Sequence, residues 1–118
     1  MVQLLVCARR KQGMSKEAFH EYWRGTHGPL VKSVPEFMRH VRKYVQHHTL
    51  AEGVPGFPAS SAEPYDGIAE LWFDSPEAIV RAFAEPRYLE VIRPDELKFI
   101  EHSGCMAFLA EEVPMHGG

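Results

Sequence analysis

His27 is in line with apolar residues, and this placement is the first indication of proton-transfer chemistry. The stripe consists of Phe19, Trp23, His27 and Leu30, at intervals of four, four and three residues. This spacing is typical of one face of an α-helix. A neutral imidazole with a pKa of about 6.5 can exchange a proton near pH 7, and a general base contributes on the order of 10²–10⁴ in rate. The alternative is a core histidine that bonds a backbone carbonyl.

The helix that carries this stripe is predicted over residues 16–33, and we expect it to loosen near His27. Gly25 and Gly28 have no side chains, so the wall of the helix is thin there. Pro29 has no N–H to donate to the carbonyl of Gly25, which predicts a kink or a widened turn. A titratable ring beside such a turn is a place where a small pocket could open.

The remaining elements give the order βαββαβ. Apolar or alternating runs predict strands over 2–10, 38–49, 67–74 and 103–111, and a second helical region begins after the Ser75 cap. Both faces of the third strand are largely apolar, with Ile68, Glu70 and Trp72 on one and Ala69, Leu71 and Phe73 on the other. Two helices cover only one face of a four-stranded sheet. We therefore expect a second copy of the chain on the other face, as a homodimer.

Residues 50–66 form a long connection rich in glycine, proline and serine. Loops of this length in compact domains tend to be functional or mobile. Phe57 and Tyr65 give this loop apolar weight, so we expect it to lie over the pocket. Residues 112–118 are expected to form a flexible tail, and the whole of 1–118 is interpreted as one domain.

Composition excludes several classes of function. The 118 residues carry a formal charge of −3, with 45% hydrophobic and 25% charged side chains. A basic footprint is absent, so a nucleic-acid partner is not expected. The sequence has no apolar run of membrane-spanning length and no secretory signal pattern, so we expect a cytoplasmic protein without a membrane partner.

Neither the cysteines nor the paired histidines indicate a metal or a covalent nucleophile. Cys7 and Cys105 have apolar neighbours, and we interpret both as reduced core thiols. His47 and His48 are adjacent on a predicted strand and point to opposite faces, so they cannot chelate one ion together. We expect no metal and no cofactor. Glu70 is interpreted as a carboxylate paired with Arg or Lys rather than an acid catalyst.

Several of these segments together resemble the EthD family. The resemblance runs from Ser15-Lys16-Glu17-Ala18-Phe19 through Tyr22-Trp23 and His27-Gly28-Pro29-Leu30. It continues through Tyr44-Val45-Gln46 and Asp66-Gly67-Ile68-Ala69-Glu70-Leu71-Trp72-Phe73. It implies an α+β, ferredoxin-like fold with a four-stranded antiparallel sheet, in which two chains pair as a dimeric α+β barrel.

The resemblance also implies candidate site residues. His27 is similar in position to a pocket histidine of methylmuconolactone isomerases, and Tyr44 to their pocket tyrosine. Those isomerases have a catalytic cysteine near the third strand, where this chain has none, which argues against the lactone isomerase reaction. We take His27 and Tyr44 as candidate catalytic residues. The candidate substrate contacts are Trp23, His48, Phe57 and Trp72.

These residues favour a cofactor-independent lyase or isomerase that acts on a small cyclic, aromatic or polyketide-like substrate. Tyr44 could hold a carbonyl or enolate oxygen while His27 removes a proton next to it. The alternative is a binding protein that uses the same pocket for a hydrophobic small molecule without chemistry. Haem handling, with His27 or His48 as axial ligand, is a third and weaker hypothesis.

Overall fold

Four strands and the helices between them follow the predicted order. A computed structural model describes residues 1–50, 53–56 and 63–117. The strands are β1 (Val2–Ala8), β2 (Val41–His48), β3 (Gly67–Phe73) and β4 (Met106–Ala110). The α-helices are α1 (Lys16–Tyr22), α2 (Gly28–Lys32), α3 (Pro35–Met38), α4 (Pro76–Phe83) and α5 (Arg93–Phe99). Two π-helical turns (Trp23–His27 and Tyr88–Ile92) and a 3₁₀ turn (His102–Gly104) complete the list.

The strands form one antiparallel sheet in the order β2-β3-β1-β4. In the centre, Leu4 of β1 lies opposite Leu71 of β3, which lies opposite Tyr44 of β2. Side chains alternate across a strand, so these three residues share one face. The predicted α+β class with a four-stranded antiparallel sheet is confirmed.

A β-bulge in β2 interrupts the alternation of its side chains. The register shifts between Val41, which pairs with Phe73, and Lys43, which pairs with Trp72. Strict alternation would place Val41 beside Lys43, but the extra residue turns Val41 toward the helices, where it is buried. Lys43 and Val45 remain on the opposite face.

The first helix widens where Pro29 predicted it to loosen. Ser15 caps α1 by accepting a hydrogen bond from the amide of Ala18. The helix then enters the π turn, where the amide of Gly28 donates to the carbonyl of Trp23, five residues back. Because this turn holds an extra residue, the buried stripe continues at Val31 instead of the expected Leu30, which is only half-buried.

The two clusters of the hydrophobic core lie between the helices and one face of the sheet. Phe37, Phe73 and Ile92 anchor its larger part, and Phe19 and Phe99 its smaller part; all five are almost completely inaccessible to solvent. No described helix covers the other face, where Met106 and Phe108 are 54% and 44% exposed. In the described residues no helix is long and apolar enough to cross a membrane.

Candidate active site

A cavity of about 430 Å³ lies between the two core clusters, under the helices. Such a volume suits a small organic ligand, since ligand pockets span roughly 300–1,000 Å³. Its wall is mainly apolar and includes Leu4, Val6 and Leu71 from the sheet. Three of the predicted site residues, Trp23, His27 and Tyr44, line it together. None of the loop residues that the structure describes lines this cavity.

His27 enters the wall from the last position of the first π turn. Single π turns inside helices are frequent at functional sites, because the extra residue redirects the side chains around it. The imidazole is buried and packs against the ring of Phe99, with 4.8 Å between the ring centroids. Its Nδ1–H donates to Oδ2 of Asp95 over 2.8 Å. His27 is therefore not bonded to a backbone carbonyl, as the core-histidine alternative required.

Asp95 is the residue that orients the His27 ring, and the sequence did not reveal this role. It lies in the first turn of α5, where the helix dipole favours a carboxylate. Its other oxygen, Oδ1, accepts a hydrogen bond of 2.6 Å from the Tyr22 hydroxyl. Burial acts to raise the pKa of Asp95, but the hydrogen bonds from Tyr22 and His27 outweigh it and hold that pKa below its usual value. Asp95 is thus a carboxylate at neutral pH.

The bond to Asp95 fixes the tautomer of His27. With its proton on Nδ1, the neutral ring keeps the lone pair on Nε2. No described residue forms a hydrogen bond with Nε2. A histidine whose Nδ1–H is held by a carboxylate and whose Nε2 is free has the arrangement of a general base.

Tyr44 lies on the sheet side of the same cavity. Burial raises the pKa of its phenol, and a hydrogen bond from Gln46 opposes that rise only in part. The hydroxyl is therefore protonated at neutral pH. The Nε2 amide of Gln46 donates to the Tyr44 oxygen at 3.3 Å, which leaves the hydroxyl hydrogen free for another acceptor.

A second cluster of polar side chains in the cavity wall was also not predicted from the sequence. Arg93, Glu96 and His102 all line the cavity. Glu96 accepts a hydrogen bond of 2.9 Å from the Tyr88 hydroxyl, and its other oxygen lies 3.4 Å from Nε2 of His102. Burial and the Glu96 carboxylate raise the pKa of Tyr88. One signal was present in the sequence: Glu96 is eight residues after Tyr88 and Asp95 is three after Ile92, so both carboxylates continue an apolar helical stripe.

Two other predicted substrate contacts, His48 and Trp72, do not line the cavity. The His48 ring stacks on Trp23, with 4.7 Å between centroids, and its Nε2 bonds Gln46. Trp72 lies on the opposite face of the sheet, since it alternates with Leu71, and it donates to the Glu70 carboxylate there. Glu70 also bonds His47, so it is a paired carboxylate whose hydrogen-bond partners are a histidine and a tryptophan instead of the expected Arg or Lys. Phe57 lies outside the described residues.

Neither cysteine has the surroundings of a nucleophile. Cys7 is buried in β1, and Cys105 lines the cavity. Burial raises the pKa of the Cys105 thiol, which donates to the carbonyl of Glu101. In the described ranges no group of three or more His, Cys, Asp or Glu side chains could hold a metal ion.

Comparison with known proteins agrees with this architecture and adds a reaction class for relatives. Residues 11–103 match the EthD domain. The chain is 34% identical over 105 residues to the conidial pigment biosynthesis dehydratase EthD of Metarhizium robertsii, a match that covers 85% of the chain and 74% of that protein. It is 27% identical over 107 residues to the dehydratase aurZ of Gibberella zeae, with 86% and 70% covered.

Solved structures share the fold along nearly the whole chain. An EthD family protein of Bacillus halodurans superposes with a TM-score of 0.68 at 21% identity, covering 96% of this chain and 99% of that one. A dimeric protein of unknown function with a ferredoxin-like fold, from Bacteroides fragilis, gives a TM-score of 0.64 at 13% identity, covering 94% and 95%. The predicted ferredoxin-like fold is thereby confirmed.

Proposed function

The chain belongs to the EthD family, and from that membership and the geometry of the cavity we propose that it is a dehydratase-type lyase. The dehydratases among its relatives support this reaction class. The proposed substrate is a small cyclic, aromatic or polyketide-like β-hydroxy ketone. In the proposed reaction His27 acts as the base, Asp95 orients it, and Tyr44 holds the carbonyl oxygen, without a cofactor.

The elimination can be written with these side chains alone. Nε2 of His27 takes a proton from the carbon next to the carbonyl, and the electron pair of that C–H bond forms an enolate. The enolate oxygen accepts a hydrogen bond from the Tyr44 hydroxyl. The enolate then collapses, the C=C bond forms, and the β-hydroxyl leaves. The leaving oxygen takes the proton back from the imidazolium, so water is released and His27 returns to its neutral state.

One observation carries this proposal: the buried Nδ1–Oδ2 bond of 2.8 Å between His27 and Asp95, beside a cavity of about 430 Å³. A carboxylate in this place selects the tautomer with a basic Nε2 and stabilises the imidazolium that forms during reaction. The mainly apolar wall lowers the local polarity, which strengthens both effects.

The test uses a bicyclic probe, 3-hydroxy-1-tetralone, whose loss of water gives the fluorescent aromatic product 1-naphthol. We expect the wild-type protein to form naphthol and His27→Ala to lose roughly 10²–10⁴-fold in rate. The control is His116→Gln, because His116 is exposed in the C-terminal tail. Equal rates in the wild type and His27→Ala would contradict the proposal.

A binding protein that uses the same cavity is the second candidate, favoured by its apolar wall. It predicts that the wild type binds 1-naphthol, seen as a change in tryptophan fluorescence because Trp23 lines the cavity, but forms none from the probe. Binding without naphthol formation would favour this candidate over the dehydratase.

We further propose that two copies pair through the uncovered face of the sheet, as a dimeric α+β barrel. Met106 and Phe108 are exposed on that face, the half-buried Leu5 lies opposite Phe108 on the neighbouring strand, and Val45 is half-buried on the same face at the other edge of the sheet. An apolar sheet face without a covering layer is unusual in a stable protein. The Bacteroides fragilis protein is described as dimeric, which supports a homodimer.

A further inference from the structure

A chain of hydrogen bonds behind the cavity fixes which way the Tyr44 hydroxyl points. Gln46 follows Tyr44 by two residues on the same face of β2, but it does not line the cavity. Its amide nitrogen lies 3.0 Å from the carbonyl of Trp23 and 3.3 Å from the Tyr44 oxygen. An amide nitrogen carries two hydrogens and no acceptor, so both contacts are donations from Gln46.

The orientation of the Gln46 amide is determined by its surroundings. The Trp23 carbonyl can only accept, so it must face the NH₂ group. The remaining oxygen, Oε1, lies 2.8 Å from Nε2 of His48. An amide oxygen can only accept, so His48 must carry its proton on Nε2. Exchange of the amide oxygen and nitrogen would place two acceptors against each other at Trp23.

His48 is held in this tautomer. Its ring stacks on Trp23, with 4.7 Å between centroids, and also contacts the tilted ring of His20, at 4.5 Å. Its Nδ1 is buried and has no partner among the described residues, so a proton there would be unsatisfied. Burial, together with the nearby His20 and Arg24, lowers the pKa of His48. The ring therefore stays neutral and donates from Nε2.

We propose that Gln46, held by His48 and by the Trp23 carbonyl, is a positioning residue that makes Tyr44 a hydrogen-bond donor to a substrate oxygen. Because Gln46 donates a hydrogen bond to the Tyr44 oxygen, the hydroxyl hydrogen of Tyr44 cannot point back at Gln46. The inference rests on the proposed function, since it assigns the oxygen-binding group of that same cavity. It also gives His48 a role behind the cavity instead of in contact with the substrate.

The experiment measures binding of 4-nitrophenol, whose phenolate form resembles an enolate and absorbs differently from the phenol. Gln46→Glu keeps the shape of the side chain but replaces the donor with an acceptor, which draws the Tyr44 hydrogen away from the cavity. We expect phenolate affinity to fall by about tenfold or more, as for the loss of one hydrogen bond to an anion. Tyr44→Phe should show a loss of similar size.

The double variant separates positioning from a general disturbance. In the Tyr44→Phe background, Gln46→Glu should cause little further loss, because no hydroxyl remains to be oriented. His48→Phe keeps the aromatic stack on Trp23 but removes the donor to Gln46, and we expect an intermediate loss of phenolate affinity. If Gln46→Glu does not fold, His48→Phe still tests the inference.

Two results would overturn the inference. One is a phenolate affinity unchanged in both Gln46→Glu and His48→Phe. The other is an equal loss from Gln46→Glu with and without Tyr44. Nitrophenol loses no water, so these outcomes are independent of turnover, whereas failure of the dehydratase proposal would be seen only with 3-hydroxy-1-tetralone.

Discussion

The pairing of His27 with Asp95 is the feature of single residues on which the proposed chemistry depends. Both side chains are only 7% exposed, so the carboxylate and the imidazole interact in a medium of low polarity, where a hydrogen bond to a charged group is strong. Tyr22 satisfies the second oxygen of Asp95. Among the described residues, every polar side-chain atom of the pair therefore has a hydrogen-bond partner except Nε2 of His27.

Replacement of Asp95 by Asn should reduce the rate while preserving the fold. An Asn side chain cannot stabilise the imidazolium and can present its amide to Nδ1, which favours the wrong tautomer. We expect the rate of naphthol formation to fall roughly a hundredfold or more, with circular dichroism unchanged. Tyr22→Phe is the control, because it keeps the carboxylate and should cost less. A rate equal to that of the wild type in Asp95→Asn would contradict the assignment.

The stability of Tyr22→Phe should depend on pH in a defined direction. The folded-state pKa of Asp95 is lowered, with the Tyr22 bond among the causes, so the stabilisation is present above the unfolded pKa of about 3.9 and is lost as the pH falls through the folded value. At neutral pH the wild type should have a higher thermal unfolding midpoint than Tyr22→Phe. The difference between the two midpoints should disappear in acid. A difference that does not change with pH would contradict this linkage.

The sequence predicted the cavity residues that follow a local pattern and missed those whose partners are distant. Trp23 and His27 belong to one helical stripe, and Tyr44 follows from the family resemblance; all three line the cavity. Asp95 lies 68 residues from His27, and its position at the start of a helix resembles an ordinary cap. Trp72 was grouped with them by its aromatic type, but strand alternation turns it to the other face.

At the scale of elements, the π turn at Trp23–His27 positions two groups at once. It brings His27 to the wall of the cavity, and it leaves the Trp23 carbonyl where both Gly28 and Gln46 donate to it. Pro29 predicted a loosened helix, but periodicity could not specify a turn with one added residue. For the same reason the bulge in β2 was not predicted, because both features break a regular period.

Gly28 and Gly25 offer a matched pair for testing this turn. A Cβ at Gly28 would lie 2.9 Å from the Gln46 amide nitrogen and 3.2 Å from the Trp23 carbonyl oxygen, whereas a Cβ at Gly25 meets nothing within 4 Å. Gly28→Ala should therefore destabilise the protein by about 1–3 kcal/mol and displace Gln46. Gly25→Ala should be neutral or stabilise it by up to about 1 kcal/mol.

Denaturant unfolding and 4-nitrophenol binding together check this pair. Gly28→Ala should weaken phenolate binding as well as stability, while Gly25→Ala should weaken neither. Equal stabilities for the two variants would show that Gln46 is not packed against Gly28 as described.

At the scale of the whole molecule, the fold is asymmetric across its sheet. The described helices cover one face, and the other presents exposed Met106 and Phe108 together with the polar group of Lys43, Glu70 and Trp72. The sequence predicted this asymmetry correctly, because two helices cannot cover both apolar faces of the third strand.

A charge on the open face should prevent pairing of two chains. We expect light scattering to give the mass of a dimer for the wild type and of a monomer for Phe108→Asp, because an unpaired carboxylate in an apolar interface is costly. The control is Val80→Asp, since Val80 is 70% exposed on α4, in the helical layer. A wild-type monomer, or a dimer that persists in Phe108→Asp, would contradict pairing through this face.

The two π turns also make the relative orientation of His27 and Asp95 depend on the exact number of residues in each turn. One turn ends at His27, and the other ends at Ile92, three residues before Asp95. Loss of a single residue from either turn would restore a regular helix and rotate the side chains on one side of the deletion by roughly 100° relative to the rest. A relative could thus keep both His and Asp in its sequence and still lack the pair, so the number of residues between landmarks is as informative as their identities.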